Sequence, residues 1–302
     1  MNIRKFCDIY REKRGFTHAE GLNDIVIFFR SLSEGLKAKE AVSEIIALYL
    51  YENIACEERR KRKVTARDFE DFLEMALGGK VMDKESRKNV LPPELSGVDK
   101  NIVDYISSNR REKMDIVFPN GYGISVKTSM PDNSEINMGS FAREALFLNF
   151  LLVEEYGGER KSGLGSKPQI LDKFLKIYNN KEWAEFCTRF ELMVNSIYVD
   201  DLIYVIKGGS HLLVCCLEGS KLRNILIEAM NGGPHEAIKV INRYEGNSLR
   251  IDRERVMQMA EKIRIDFSQL ANTKVKKFLE REEDRIEKAL LSMADGKIED
   301  LE

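Results

Sequence analysis

Long apolar runs are absent from this 302-residue sequence, in which 43% of the residues are hydrophobic and 32% are charged. No stretch approaches the roughly 20 apolar residues that a membrane-spanning helix requires. The N-terminus, MNIRKFCDIYREKRG, has basic residues but lacks the apolar segment of a signal peptide. We therefore expect a cytoplasmic protein that has no membrane among its partners.

Ligands for a zinc ion are also scarce. The five cysteines include no C-x-x-C pair, and the three histidines, His18, His211 and His235, are far apart in the chain. Zinc sites are usually built from closely spaced pairs, so we expect free thiols. Glutamine is scarce as well, whereas Lys, Arg and Glu are abundant. This bias is typical of thermophile proteins. It concerns the source organism of the protein and says nothing about an activity.

A large excess of either charge is missing too, because 48 basic and 50 acidic side chains give a net charge of −2. This balance argues against a uniformly basic protein that binds nucleic acid everywhere on its surface. It does not exclude a nuclease or a DNA-binding protein, since a local basic patch is enough to neutralise phosphates.

The first 80 residues read as helices. Apolar residues recur at helical spacing between Leu36 and Arg59, and Thr65 followed by Asp68 predicts a helix that ends at Gly78-Gly79. Residues 80–97, with two prolines, predict a connecting loop. The simplest division is a helical region at 1–97 and a catalytic region at 98–302, which could also form one continuous domain.

Strand patterns come in two pairs. Residues 114–118 and 122–128 flank Asn120-Gly121, and residues 201–206 and 211–217 flank a Gly-Gly turn, so each pair predicts a hairpin. The remaining segments predict helices at 99–110, 139–154, 168–178 and 181–196, then a mostly helical C-terminal part with a charged helix at 273–294. The sequence thus predicts an α/β (α+β) fold, a small mixed β-sheet flanked by many helices.

The first hairpin contains the residues that point to chemistry. Asp115 opens the first strand and Lys127 lies near the end of the second, so the turn brings them opposite each other. Ser125 and Lys127 share one face, while Ile124 and Val126 point to the other. An acid can hold Mg²⁺ at a phosphate, and a lysine can orient an attacking water. The alternative interpretation is a cross-strand ion pair without catalysis.

The pattern Met114-Asp115 followed by Ser125-Val126-Lys127 resembles the PD-(D/E)xK nuclease superfamily, which includes most type II restriction endonucleases. The resemblance implies a restriction-endonuclease-like core and Mg²⁺, for which Mn²⁺ can substitute. Asp115 and the Val126 carbonyl would bind the metal, and Lys127 would be the catalytic lysine. Met114 stands where the family often has proline, and Ser125 stands where the second acid belongs.

A subgroup of that family has Ser-x-Lys on the strand and takes its second acid from the following helix. By this resemblance Glu144 is the expected replacement, and Glu135 is the runner-up within a segment that reads as a solvated loop. A further acid from an N-terminal helix is expected by analogy, and Glu44 or Glu52 could provide it. The favoured interpretation of both is nevertheless a solvated position on a charged helix.

Basic residues that could contact DNA phosphates lie in three segments. They are Arg59, Arg60, Lys61, Arg62 and Lys63 after an early helix, Arg110, Arg111 and Lys113 before the catalytic strand, and Lys161 and Lys167 in a glycine-bearing loop. The last segment lacks the order of a P-loop, which disfavours nucleotide binding.

Together these features predict a Mg²⁺-dependent type II restriction endonuclease that cuts double-stranded DNA at a short specific site. Such enzymes are commonly homodimers, since a twofold axis matches a palindromic site, and a cognate DNA methyltransferase gene is expected nearby. One alternative is a DNA repair nuclease or junction resolvase. Another, favoured by Ser125, is a noncatalytic DNA-binding protein with a decayed nuclease fold.

Overall fold

The computed structural model describes residues 3–55, 65–83, 85–87, 113–140, 165–245 and 248–270. Predictions that fall outside these ranges, including the helices at 99–110 and 273–294, stay predictions. None of the helices within these ranges is both long and apolar enough to cross a membrane.

The N-terminal part is helical, as predicted. Its helices are α1 (Ile3–Arg14), α2 (Leu22–Lys37), α3 (Ala41–Leu50), which continues into a π-helical turn (Tyr51–Ala55), and α4 (Ala66–Leu77). The predicted start of α4 is confirmed, since Asp68 accepts hydrogen bonds from the Thr65 amide and hydroxyl at 2.7 and 2.9 Å. The helix ends at Gly78 in the left-handed region. The helical pattern from Leu36 is interrupted at Lys39, whose φ is 55°.

A six-stranded mixed sheet forms the centre of the fold. In spatial order it contains β1 (Lys80–Val81), β2 (Ile116–Val117), β3 (Gly123–Ser129), β6 (Asp201–Lys207), β7 (His211–Leu217) and β10 (Glu261–Asp266). Both predicted hairpins, β2–β3 and β6–β7, are confirmed. The pairing of β3 with β6 is parallel, and the other pairs are antiparallel. The predicted mixed α/β fold is therefore confirmed.

A second sheet was missed by the sequence analysis. It orders β4 (Glu135–Ser140), β9 (Ser248–Asp252), β8 (Ile241–Glu245) and β5 (Gly165–Ser166). The predicted helix start at Gly139-Ser140 is wrong, because both residues belong to β4, and residues 141–154 lie outside the described ranges. Within the described part after β7, which was predicted to be mostly helical, residues 241–245, 248–252 and 261–266 form strands. Buried Ile136 and Met138 alternate with outward-facing residues, which is the period of a strand.

Helices pack around both sheets: α5 (Lys167–Asn179), α6 (Trp183–Ile197), α7 (Gly219–Asn231), α8 (Pro234–Val240) and α9 (Arg253–Met259), followed by a 3₁₀ turn (Phe267–Gln269). The first two confirm the helices predicted at 168–178 and 181–196.

The central sheet separates two hydrophobic cores. Ile203 and Val205 of β6 point into a core formed with α1–α4, whereas Leu202 and Tyr204 point into a core formed with α5–α8. A strand that is buried on both faces reads as a continuous apolar run, as β6 does. Residues before and after position 97 thus contribute to one of these cores together.

Candidate active site

Asp115 lies just before β2 and is 6% exposed. Its amide donates to the Ile124 carbonyl at 2.7 Å, which fixes it against β3. Its Oδ2 accepts hydrogen bonds from the Val126 amide at 2.7 Å, from Ser125 Oγ at 3.1 Å and from Lys127 Nζ at 2.9 Å. The predicted juxtaposition of the Ser-x-Lys strand and Asp115 is therefore present.

Lys127 is held by three acceptors at once. Besides Asp115, its Nζ donates to Ser125 Oγ at 3.0 Å and to the Val126 carbonyl at 2.9 Å. The side chain is 22% exposed. Ser125 thus links the acid and the lysine, and the pair has the geometry of an ion pair as well as that of a catalytic acid and lysine.

Arg87 is a member of this cluster that the sequence did not suggest. Its guanidinium donates to Asp115 Oδ1 at 2.8 Å and to the Met82 carbonyl at 3.4 Å. The loop that presents it is shaped by Asp83, which accepts hydrogen bonds from the Glu85 and Ser86 amides. No sequence pattern around Arg87 marks it, because the contact joins a loop to the strand hairpin.

Glu70 of α4 provides a second acid near Asp115. Burial raises the pKa of Glu70, and the negative charge of Asp115 raises it further, against the opposing effects of Lys127, Arg67 and Arg87. A signal for this position exists in the sequence. Glu70 precedes Leu73 by three residues and Leu77 by seven, so it lies on the buried stripe of α4.

The acids that the sequence favoured are placed otherwise. Glu44 is fully buried in α3, neither of its carboxylate oxygens has a hydrogen-bond partner among the described residues, and burial raises its pKa against the effect of Lys39. Glu52 lies in the π-helical turn. The expected N-terminal acid is therefore better matched by Glu70, whose charge interacts with Asp115, than by either candidate.

The replacement acids after the hairpin have different outcomes. Glu144 lies outside the described residues and stays a prediction. Glu135 is the first residue of β4, not part of a solvated loop, and its carboxylate faces Arg243 Nε at 3.5 Å and an Arg250 nitrogen at 3.6 Å. On the second sheet, the Glu135 carboxylate is therefore engaged in ion pairs with two arginines.

The predicted DNA-contacting residues are described in part. Lys113 lies two residues before Asp115, and its Nζ is 3.5 Å from the position that a Cβ on Gly139 would occupy. Lys167 is the first residue of α5. Outside the described ranges lie Arg59, Arg60, Lys61, Arg62, Lys63, Arg110, Arg111 and Lys161.

The donor set of this cluster fits Mg²⁺. Asp115, Glu70 and the Val126 carbonyl offer hard oxygen atoms, and burial together with the negative charge of Asp115 raises the pKa of Glu70. Mg²⁺ typically uses one or two carboxylates and keeps several waters. Among the described residues, no group of three or more His, Cys, Asp or Glu side chains that could hold a metal ion occurs.

Comparisons of this chain with protein-family models, with curated proteins and with solved structures found no match.

Proposed function

We propose that this protein is a Mg²⁺-dependent endonuclease that hydrolyses double-stranded DNA, with Asp115, Lys127 and Glu70 in its active site. The observation that carries the proposal is the clustering of Asp115 with Lys127, Ser125 and the Val126 backbone on one hairpin. The resemblance of this segment to the PD-(D/E)xK nucleases supports the same assignment.

In this mechanism the protein's own groups arrange the reactants. Lys127, which is anchored by Ser125 and the Val126 carbonyl, orients the attacking water and offsets charge that develops on the phosphate. Asp115 and Glu70 supply the carboxyl groups of the site. Arg87 donates to Asp115 Oδ1, so this oxygen would be available to a metal ion only with that ion pair open.

Asp115, Glu70 and the Val126 carbonyl would hold Mg²⁺, with Glu144 as a further predicted ligand. The metal would act as a Lewis acid that stabilises the negative charge of the transition state, and Mn²⁺ should replace it.

The specific form of the proposal is a type II restriction endonuclease. A homodimer would place two such sites across a palindromic DNA sequence, and a cognate methyltransferase would protect the host's own DNA. Size-exclusion chromatography with light scattering would measure the dimer, in the presence and absence of DNA.

A noncatalytic DNA-binding role is the second candidate, favoured by one observation. Both oxygens of Asp115 accept hydrogen bonds from cationic side chains, Arg87 on one and Lys127 on the other. An acid neutralised in this way could be purely structural. A repair nuclease or resolvase would share the same site and differ in the DNA that it cuts.

Cleavage of plasmid and phage DNA tests these alternatives. We expect discrete fragments with Mg²⁺ or Mn²⁺ and none with EDTA. Asp115→Asn and Lys127→Ala should each lower the cleavage rate by roughly a hundredfold or more while retaining DNA binding in a mobility-shift assay. Lys239→Ala is a matched control, because it removes a lysine from an ion pair on α8, and it should cut at the wild-type rate.

Other outcomes have distinct meanings. A smear, or nicking that depends on DNA structure, would favour a repair nuclease over a restriction endonuclease. Cleavage that survives in either site variant would refute the assigned active site. Binding without any cleavage under both metals would support the noncatalytic candidate.

A further inference from the structure

The two carboxylate oxygens of Asp115 differ in the donors that they accept. Oδ2 accepts three hydrogen bonds from β3, donated by the Val126 amide, Ser125 Oγ and Lys127 Nζ. Within the described part of the chain, Oδ1 accepts from Arg87, at 2.8 Å. Each carboxylate oxygen has about two lone pairs, so Oδ2 is fully used. The oxygen with room for a metal ion is therefore Oδ1, which Arg87 contacts.

Arg87 and Lys127 are counter-ions of both acids in the site. Each forms an ion pair with Asp115, Arg87 at Oδ1 and Lys127 at Oδ2. Burial and the charge of Asp115 raise the pKa of Glu70, and Arg87 and Lys127 are among the cations that lower it. These two side chains and a divalent cation therefore have the same electrostatic role, which is to offset the charge of the two carboxylates.

Arg87 has fewer acceptors to lose than Lys127. The ammonium group of Lys127 donates to two further oxygens of β3 at 2.9 and 3.0 Å. The second acceptor of Arg87 is the Met82 carbonyl at 3.4 Å, and its buried Nε has no hydrogen-bond partner among the residues that the structure describes. An unpaired buried donor costs free energy. Of the two cations on Asp115, Arg87 is therefore the one that a metal ion displaces more readily.

The guanidinium group and a divalent cation oppose each other at Oδ1. Mg²⁺ binds carboxylate oxygens at about 2.1 Å, and the Arg87 nitrogen lies 2.8 Å from Oδ1. The two positive centres would be no more than about 5 Å apart. Because Asp115 is buried, little water screens the repulsion between them.

We infer that Arg87 competes with divalent metal ions for Asp115 Oδ1 and thereby sets the metal concentration that the candidate site requires. The inference rests on the proposed function for the identity of the ligand, a divalent cation. If Arg87 occupies Oδ1 in about nine of ten molecules, the apparent dissociation constant of the metal is about tenfold larger than that of the open site. Arg87 also keeps the buried carboxylate paired when metal is scarce, since a buried charge without a partner destabilises a fold.

Electron paramagnetic resonance of free Mn²⁺ measures this competition on the full chain without DNA. Arg87→Gln should bind Mn²⁺ about tenfold more tightly than the wild type, because the competing charge is removed. Arg14→Gln is the matched control. Arg14 is a partly exposed arginine of α1 that pairs with Glu40 at 3.2 Å, and it is not among the residues that shift the pKa of Glu70. It should leave the Mn²⁺ affinity unchanged.

Asp115→Asn shows where the additional affinity arises. In the double variant Arg87→Gln/Asp115→Asn the gain should disappear, because the carboxylate for which Arg87 and the metal compete is absent. A gain of the same size in the double variant would place the Mn²⁺ ion elsewhere and overturn the inference. Circular dichroism melting of each variant reports whether it is folded at the assay temperature.

A crystal structure of the wild-type protein with Mn²⁺ tests the inference without any variant, so it does not depend on the folding of Arg87→Gln. Mn²⁺ bound to Asp115 Oδ1, with the Arg87 guanidinium group beyond hydrogen-bond distance, would support the competition. Mn²⁺ bound to Oδ1 with the ion pair intact would overturn it, and so would a site without Mn²⁺ at a saturating concentration.

The outcomes separate this inference from the proposed function. Plasmid cleavage by the wild type, with a Mn²⁺ affinity of Arg87→Gln equal to that of Arg14→Gln, would overturn the competition and leave the nuclease. Tighter Mn²⁺ binding by Arg87→Gln that is lost with Asp115→Asn, in a protein that cuts no DNA under Mg²⁺ or Mn²⁺, would support the competition and reject the nuclease.

Discussion

Glu70 is the residue whose charge state links stability to the candidate site. Burial and the nearby Asp115 raise the pKa of its carboxyl group, so the folded protein binds this proton more tightly than the unfolded chain does. The free energy of unfolding therefore rises as pH falls through the pKa of Glu70 in the folded state, and it is reduced at neutral pH, where Glu70 is charged.

Glu70→Gln should consequently melt at a higher temperature than the wild type at pH 8, and the difference should shrink towards pH 4. A rise of about 2 °C for each kcal/mol gained is the scale expected for a chain of this length. Melting curves followed by circular dichroism across this pH range make the measurement. Cleavage should be lost in the same variant.

Glu185→Gln serves as the control for Glu70→Gln. Glu185 is an exposed acid on α6 with an ion pair to Arg189, and losing such a pair costs roughly 0.5 kcal/mol or less. A melting temperature of Glu70→Gln that is below that of the wild type at pH 8 would contradict the assignment of Glu70 as a destabilising acid.

The sequence identified Asp115, Ser125 and Lys127 because one short hairpin contains all three, and the alternation of a strand tells which of them share a face. Glu70 and Arg87 were missed because they approach Asp115 from a helix and a loop. The contact of Arg87 with Asp115 joins residues that are 28 positions apart in the chain. Helical periodicity places Glu70 on the buried stripe of α4, but no pattern in the sequence shows which distant residue such a side chain meets.

At the scale of elements, the turn between β2 and β3 decides whether Asp115 faces the Ser-x-Lys strand. Gly121 has a φ of 85°, and a Cβ added to it would meet no atom within 4 Å. A substitution there tests the backbone conformation alone. Gly121→Ala should lower the free energy of unfolding by about 1 kcal/mol, the cost of a left-handed conformation for an ordinary residue.

Gly209, in the turn between β6 and β7, provides the matched control. It also has open space around its Cβ position, and its φ is not positive. Gly209→Ala should leave stability unchanged or raise it slightly. Urea unfolding curves measure both variants, and equal effects at the two glycines would show that the conformation of Gly121 does not limit stability.

Elements with clear capping or turn residues were predicted well, and the strands of the second sheet were not. Thr65 with Asp68 marked the start of α4, and the two hairpins followed from their turns. The strands β8, β9 and β10 were read as helical, because their amphipathic runs are short. β8 and β9 pair with each other and are close neighbours in the chain, so this local pairing was overlooked, whereas β10 pairs with the distant strand β7. A short strand is determined by the sheet that it joins as much as by its own residues.

At the scale of the whole molecule, the central sheet belongs to two cores at the same time. Because Ile203 and Tyr204 are neighbours in β6 and point to opposite cores, neither core can lose its packing without disturbing the strand that both share. We therefore expect one cooperative unfolding transition and not two.

Phe72→Ala in the first core and Phe186→Ala in the second test this expectation, since both side chains are fully buried. Each should lower the free energy of unfolding by about 3 to 5 kcal/mol. Calorimetry and denaturant unfolding should show the same single transition, shifted in both variants. A transition that splits in two in either variant would instead indicate that the two sides of the sheet unfold independently.

The parallel pairing of β3 with β6 also has a consequence during synthesis. The contact of Ser129 with Tyr204 joins residues that are 75 positions apart, and translation adds about 5 to 20 residues per second. The hairpin with Asp115 and Lys127 therefore leaves the ribosome several seconds before its neighbouring strand exists. A nascent chain that ends before β6 has both side chains and lacks the strand that supports them. The complete site therefore forms only after β6 has been synthesised.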